Sequence, residues 1–193
     1  MPEPETKENH TRPGPSRTLL ERWNFTLPSL RAHCIFWLVV VCALVLDLWS
    51  KRTVFDLLKE KHSISVIPGF VQLVLAENPG AAFGIAAGQY HLLLIISVVA
   101  LIVIFAIFLF GGNQKPIVYI ALGMFAAGVC GNLWDRAFNE GRVRDFIDVI
   151  YWPGKHWPAF NVADALLCIG VGLLIISTLF IGQSYQKHAQ KHR

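Results

Sequence analysis

The chain has 193 residues, of which 54% are Ala, Val, Ile, Leu, Met, Phe, Trp, Tyr or Cys and only 16% carry charged side chains; its mean hydropathy is +0.47. That balance is too apolar for a soluble domain of this length and marks a membrane protein. The net charge of +4 sits mostly in the two tails, where anionic lipid headgroups account for it better than nucleic acid does, so no nucleic-acid partner is expected.

Residues 1–32 are rich in Pro, Glu, Thr and Arg without periodicity, and are expected to form a disordered cytoplasmic tail ending in an interfacial stretch near Trp23 to Leu30. A cleavable signal peptide is not expected, because the first apolar run begins only after 33 residues and lacks a small-residue cleavage site. Four runs, 34–49, 92–112, 116–134 and 165–182, approach or reach the roughly 20 apolar residues that cross a hydrocarbon core as a helix. They define a four-helix membrane domain over 33–182, followed by a basic cytoplasmic tail at 183–193. Runs of this length exclude a membrane β-barrel, whose signature is a series of ten-residue alternations.

Four spans put both termini on one side of the bilayer. Lys and Arg divide nearly evenly, nine with the tails and eight with the other side, but net charge is +5 against −1. The positive-inside rule then assigns both termini to the cytoplasm. Cys34, Cys42, Cys130 and Cys168 all fall within spans and show no metal or disulfide spacing, so they read as small buried hydrophobes.

Between the first two spans, Ser63 to Ile67, a Pro68-Gly69 turn and Phe70 to Leu75 alternate loosely and are β-branched. This predicts a small sheet lying on the outer membrane surface. It leads into Glu77-Asn-Pro-Gly-Ala-Ala-Phe-Gly84, a turn whose small residues let backbone approach something closely.

The segment from Asn132 to Asp164 concentrates polar residues where span three ends and span four begins. Asn132, Asp135 and Arg136 lie at i, i+3 and i+4 and share one helical face; Asn161 and Asp164 repeat the i, i+3 spacing. One reading makes Asn161 and Asp164 helix caps and Asp135 with Arg136 an interfacial ion pair. The other takes the joint pattern as functional, since acids at the end of a membrane helix are costly unless they face water or a partner. Asp145 and Asp164 have 18 residues between them, enough for the chain to leave span three, cross the outer surface and return. Two carboxylates brought together in that way cannot both ionise cheaply, so one holds a proton as general acid while the other activates water, the chemistry of an aspartic protease. Motifs for serine and zinc hydrolysis are missing. An ion conduit would spread acids through the bilayer depth, whereas spans two and four carry no internal charge.

Five motifs in order, Asp47-Leu-Trp-Ser-Lys51, Asn78-Pro-Gly-Ala-Ala-Phe83, Gly131-Asn-Leu-Trp-Asp-Arg136, Gly141-Arg-Val-Arg-Asp-Phe-Ile-Asp148 and Phe160-Asn-Val-Ala-Asp164, resemble the lipoprotein signal peptidase (signal peptidase II) family over about residues 34–182. The resemblance implies a monomeric, multi-pass aspartic endopeptidase of the bacterial inner membrane, active near the outer face. It would cut the signal peptide from a diacylglyceryl-modified prolipoprotein just before the lipidated cysteine. No metal or other cofactor is expected. Motif by motif, Asp145 and Asp164 take the catalytic places. Asn78, Asn132, Arg136 and Asn161 take those of groups that hold the substrate backbone or a globomycin-like inhibitor. Asp135 and Asp47 are supporting residues, Asp47 by pairing with Lys51 or Arg52. Trp134, where an aliphatic residue is expected, and the loop carrying Trp152 and Trp157 depart from the family pattern.

Overall fold

A computed structural model describes residues 27–81, 84–112 and 114–191, with side chains up to residue 179. The expected N-terminal tail up to residue 26 lies outside the described residues, as do Ala82 and Phe83 of the turn motif. The architecture is four long helices and a four-stranded antiparallel sheet: α1 (Leu30–Leu58), β1 (Ser63–Ile67), β2 (Val71–Asn78), α2 (Tyr90–Phe110), α3 (Pro116–Phe138), β3 (Val143–Trp152), β4 (Lys155–His156) and α4 (Val162–Lys191). All four helices are long and apolar enough to cross a membrane, α4 over Val162–Leu179. The protein is therefore a multi-pass membrane protein.

Three of the four helices, α1, α3 and α4, outrun the apolar runs that announced them. Ser29 caps α1 by accepting from the Ala32 amide (3.3 Å). At its other end α1 continues nine residues past Trp49, because Lys51 is fully buried and neutralised inside the protein instead of marking the edge of the membrane. Likewise α3 runs past Trp134 through Asp135 and Arg136, both buried. The backbone of α4 is helical through Lys191, into the segment assigned to the C-terminal tail.

Helix α3 is the central element, packed against the other three. Its Gly128 lies so close to α4 that a Cβ there would meet the Ala163 carbonyl oxygen at 2.7 Å, and a Cβ on Gly131 would collide with the Asp47 carboxylate of α1. Small residues at such crossings let backbones approach, which is how membrane helices gain packing without a hydrophobic drive. The neighbours Val39 with Gly123, Asp47 with Gly131 and Lys51 with Asp135 make α1 and α3 parallel. Gly128 against Ala163 and Gly170 against Ala121 make α4 antiparallel to them. The start of α1 and the far end of α4 therefore lie at the same end of the bundle. There Phe36 stacks on Phe108 (centroids 4.1 Å apart), with Tyr119 edge-on, in a dry aromatic core.

The sheet caps the opposite end. Strands β1 and β2 form the expected hairpin, with Gly69 at φ +72° in the turn, where a residue with a Cβ would be strained. Strands β3 and β4 were not foreseen from the sequence. β3 pairs with β2 in a register that sets Ala76 opposite Asp145 and Asn78 opposite Val143. An isolated bridge from Ile147 to Phe160 then returns the chain to α4. Asp145 is thus held from both sides, by β2 and by the segment entering α4.

Candidate active site

The site grows from the first turn of α4. Asn161 stands immediately before the helix, and its Oδ1 accepts from the Asp164 amide (3.0 Å) while Asp164 Oδ2 accepts from the Asn161 amide (3.2 Å). This is a reciprocal capping box, which satisfies amides that a helix start leaves without partners. A second such amide, that of Ala163, donates to Asp47 Oδ1 (2.8 Å) from α1. The capping reading of Asn161 and Asp164 therefore holds, and it uses only part of each side chain.

The remaining atoms link the carboxylates. Asp164 Oδ1 accepts from Asn132 Nδ2 (2.8 Å). Asn161 Nδ2 donates to Asn132 Oδ1 (3.1 Å) and to Asp145 Oδ1 (2.6 Å). Asn78, at the end of β2, donates from Nδ2 to Asp145 Oδ2 (3.1 Å), and its Oδ1 accepts from the Gly80 amide (2.9 Å). Asp145 and Asp164 thus belong to one hydrogen-bonded cluster, bridged by two asparagine amides. Burial pushes the Asp145 carboxyl up to about 7, with the charge of Asp164 raising it further and the donors Asn78 and Asn161 opposing the rise. At neutral pH that group is shared between acid and carboxylate.

Below the carboxylates lies a buried charge cluster. Lys51 Nζ donates to Asn132 Oδ1 (3.0 Å) and is ion-paired with Asp47 Oδ2 (2.8 Å) and Asp135 Oδ2 (3.2 Å). Asp135 also takes the guanidinium of Arg144 on Oδ1 and the Arg144 amide on Oδ2 (3.0 Å). The ion partners of Asp135 are hence Lys51 and Arg144, so the proposed Asp135–Arg136 pair does not form. Arg136 turns instead to the Gly80 carbonyl (3.0 Å), leaving its buried Nε without an acceptor among the described residues. The Asp47 partner resolves to Lys51; Arg52 is exposed and lies 3.9 Å from Asp56.

All eight site residues singled out in the sequence, Asp47, Asn78, Asn132, Asp135, Arg136, Asp145, Asn161 and Asp164, meet at this junction of bundle and sheet. Asp148 lies apart, where its Oδ2 accepts from Gln72 (2.6 Å) and contacts His156 Nδ1 (2.7 Å). Sequence reasoning named Lys51 only as one of two candidate partners of Asp47 and missed Arg144. The Asp47/Lys51 spacing of four at the end of an apolar run was the signal for the first; the second depends on the path of β3. Among the described residues, no group of three or more His, Cys, Asp or Glu side chains is placed to hold a metal ion.

The family model for signal peptidase II matches residues 39–180. The chain belongs to the signal peptidase II family. It is 40% identical to a lipoprotein signal peptidase of Geobacter sulfurreducens over 75% of this chain and 91% of that one. Identity is 43% to the namesake of a Sulfurihydrogenibium species (71% and 86% covered) and 34% to that of Neisseria gonorrhoeae (78% and 93%). Two solved bacterial membrane enzymes share the fold, each with a TM-score of 0.68. One is 34% identical, covering 74% of this chain and 85% of its own, and the other 32%, covering 80% and 97%. Membership makes the chain a signal peptidase, and the five motifs fall inside the matched segment.

Proposed function

We propose that this signal peptidase removes the signal peptide from diacylglyceryl-modified prolipoproteins, cutting before the lipidated cysteine with Asp145 and Asp164 as an aspartic dyad. The observation that supports it is the pair of carboxylates in one buried polar cluster, joined through Asn132 and Asn161. In this reading Asp164, ionised, takes a proton from water as the oxygen attacks the scissile carbonyl. Asp145, protonated, first hydrogen-bonds the carbonyl oxygen and stabilises its developing charge, then gives its proton to the leaving amine as the C–N bond breaks. Asn78, Asn132, Arg136 and Asn161 hold the substrate backbone or a globomycin-like inhibitor, and Arg136 Nε, without an acceptor among the described residues, is a donor suited to a peptide carbonyl. Asp47 and Asp135 support the site.

The substrate is an apolar signal helix ending at a lipidated residue, so the site must meet water and acyl chains at once. A polar junction capping one end of an apolar bundle satisfies both needs. The chain then sits in a bacterial inner membrane as a monomer, its tails cytoplasmic and the sheet on the outer face, consistent with the net charge of the two sides.

Asp145→Asn and Asp164→Asn should each lower cleavage of a lipidated prolipoprotein by at least about a hundredfold while the protein still inserts, the scale of a lost acid or base. Parent-like cleavage by either variant would overturn the dyad. The alkaline limb of the parent's activity should fall near pH 7, where Asp145 loses its proton.

A further inference from the structure

A lysine with no exposed surface inside a membrane helix needs a reason beyond anchoring, because burying a charge is costly even when it is paired. Two of the three acceptors of Lys51 are carboxylates, which neutralise it. The third is Asn132 Oδ1, and that contact does something a carboxylate could not. Asn132 has one acceptor end and one donor end. Its acceptor end meets two donors, Lys51 Nζ (3.0 Å) and Asn161 Nδ2 (3.1 Å), and its donor end meets Asp164 Oδ1 (2.8 Å). Turning the amide over would set NH2 against the ammonium and against another NH2. It would also set Oδ1 against Asp164 Oδ1, a contact tolerable only if Asp164 carried a proton.

We propose that Lys51 is a positioning residue for the dyad: by holding Asn132 Oδ1 it keeps the Asn132 amide aimed donor-first at Asp164, which selects the ionised, water-activating form of Asp164 and leaves the proton to Asp145. This rests on the dyad reading above. The groups facing Asp164 are Asn132 and Arg136 from α3, Asn161 before α4 and Asp145 from β3; those facing Lys51 are Asp47, Asp135 and Asn132, with Asp145 reached by its charge. Arg136 and the Asn161 amide also face the Asp164 carboxyl, so Lys51 adds orientation to contacts already in place. The charge of Lys51 also reaches Asp145 and opposes the rise of its carboxyl, but both hydrogen-bond donors of Asp145 are amides other than Asn132, and burial keeps its carboxyl pushed up to about 7.

The test is the pH profile of cleavage of a lipidated prolipoprotein peptide by the full chain in detergent. Lys51→Met combined with Asp47→Asn removes one positive and one negative charge together, keeps an Oδ1 for the Ala163 amide and leaves Asp135 its Arg144 partner. Its acid limb, where the base becomes protonated, should move up by at least one pH unit relative to Asp47→Asn alone. The plateau kcat should fall at least about tenfold, with KM changing less than threefold. Asn132→Ala, which leaves Lys51 both its carboxylates, should move the same limb in the same direction. An infrared titration, with the Asp164 carboxyl band assigned by its loss in Asp164→Asn, should show that group protonating at higher pH in both variants. Limbs and bands that coincide with those of Asp47→Asn would overturn the proposal while Asp164→Asn remains inactive. Full cleavage by Asp164→Asn would remove the dyad reading itself.

Discussion

Helices α1 and α3 run side by side, and the packing at their two ends follows opposite chemistry. At one end Phe36 of α1 and Tyr119 of α3 meet through Phe108 of α2, face and edge, with the Tyr119 hydroxyl turned to accept from the Gln114 amide (3.0 Å). At the other, Asp47, Lys51, Asn132 and Asp135 meet through two buried ion pairs and a hydrogen bond. The aromatic end is tolerant, because dispersion is spread over many weak contacts and a ring can be replaced by another apolar group of similar size. The charged end is brittle, because removing one partner strands the others without water. The protein is thus held loosely at its aromatic end and tightly at the end that carries the candidate site.

Substitutions at the two ends should separate these regimes. Asp47→Leu, which leaves Lys51 short of an acceptor and the Ala163 amide uncapped, should destabilise by about 3–5 kcal/mol, the cost of breaking a buried pair. Thermal unfolding in detergent would show it; a loss below about 1 kcal/mol would make the two ends alike. Next comes Asp145→Asn. Between pH 4 and 7 the unfolded chain gives up the Asp145 proton while the folded one keeps it, so the parent loses stability as pH rises through that window. The variant cannot titrate there. Relative to the parent it should gain little near pH 4 and up to about 4 kcal/mol at pH 8, because each pH unit crossed in that window costs the parent about 1.4 kcal/mol. A difference that stays flat from pH 4 to 8 would mean that the carboxyl is not held up. The smallest effect is expected at the aromatic end: Phe36→Leu should cost about 1 kcal/mol and keep kcat within twofold. A tenfold loss of kcat there would show that the two ends are not independent.

Much of the polar end was legible because its residues obey local periodicities. The i, i+3 pair Asn161/Asp164 and the i, i+3, i+4 set Asn132/Asp135/Arg136 announced shared faces, and the helix starts and turns did the rest. What stayed hidden was partner choice across elements. Asp135 was read with its neighbour Arg136, but the chain reverses at Gly141 (φ +81°), and β3 brings Arg144 back onto Asp135 instead. The strands β3 and β4 were obscured by the polar residues that made the segment conspicuous, since charges needed by the site interrupt the alternation that marks a strand. The extent of α1 was hidden for a related reason: composition treats Lys51 as the edge of the membrane, and only its three partners from two helices make it an interior residue.

Asp47 grips the first turn of α4 from the first helix of the chain, so the site is closed by a contact between residues 116 positions apart. During synthesis α1 is made first and α4 last. A ribosome that has delivered everything up to β4 has produced a chain with Asp145 but neither Asn161 nor Asp164, and with the Asp47 carboxylate lacking the amide it caps. If Asp145 and Asp164 form the dyad proposed above, proteolytic competence is the last property the growing polypeptide acquires, and a chain cut short anywhere before α4 enters the bilayer as an inert protein.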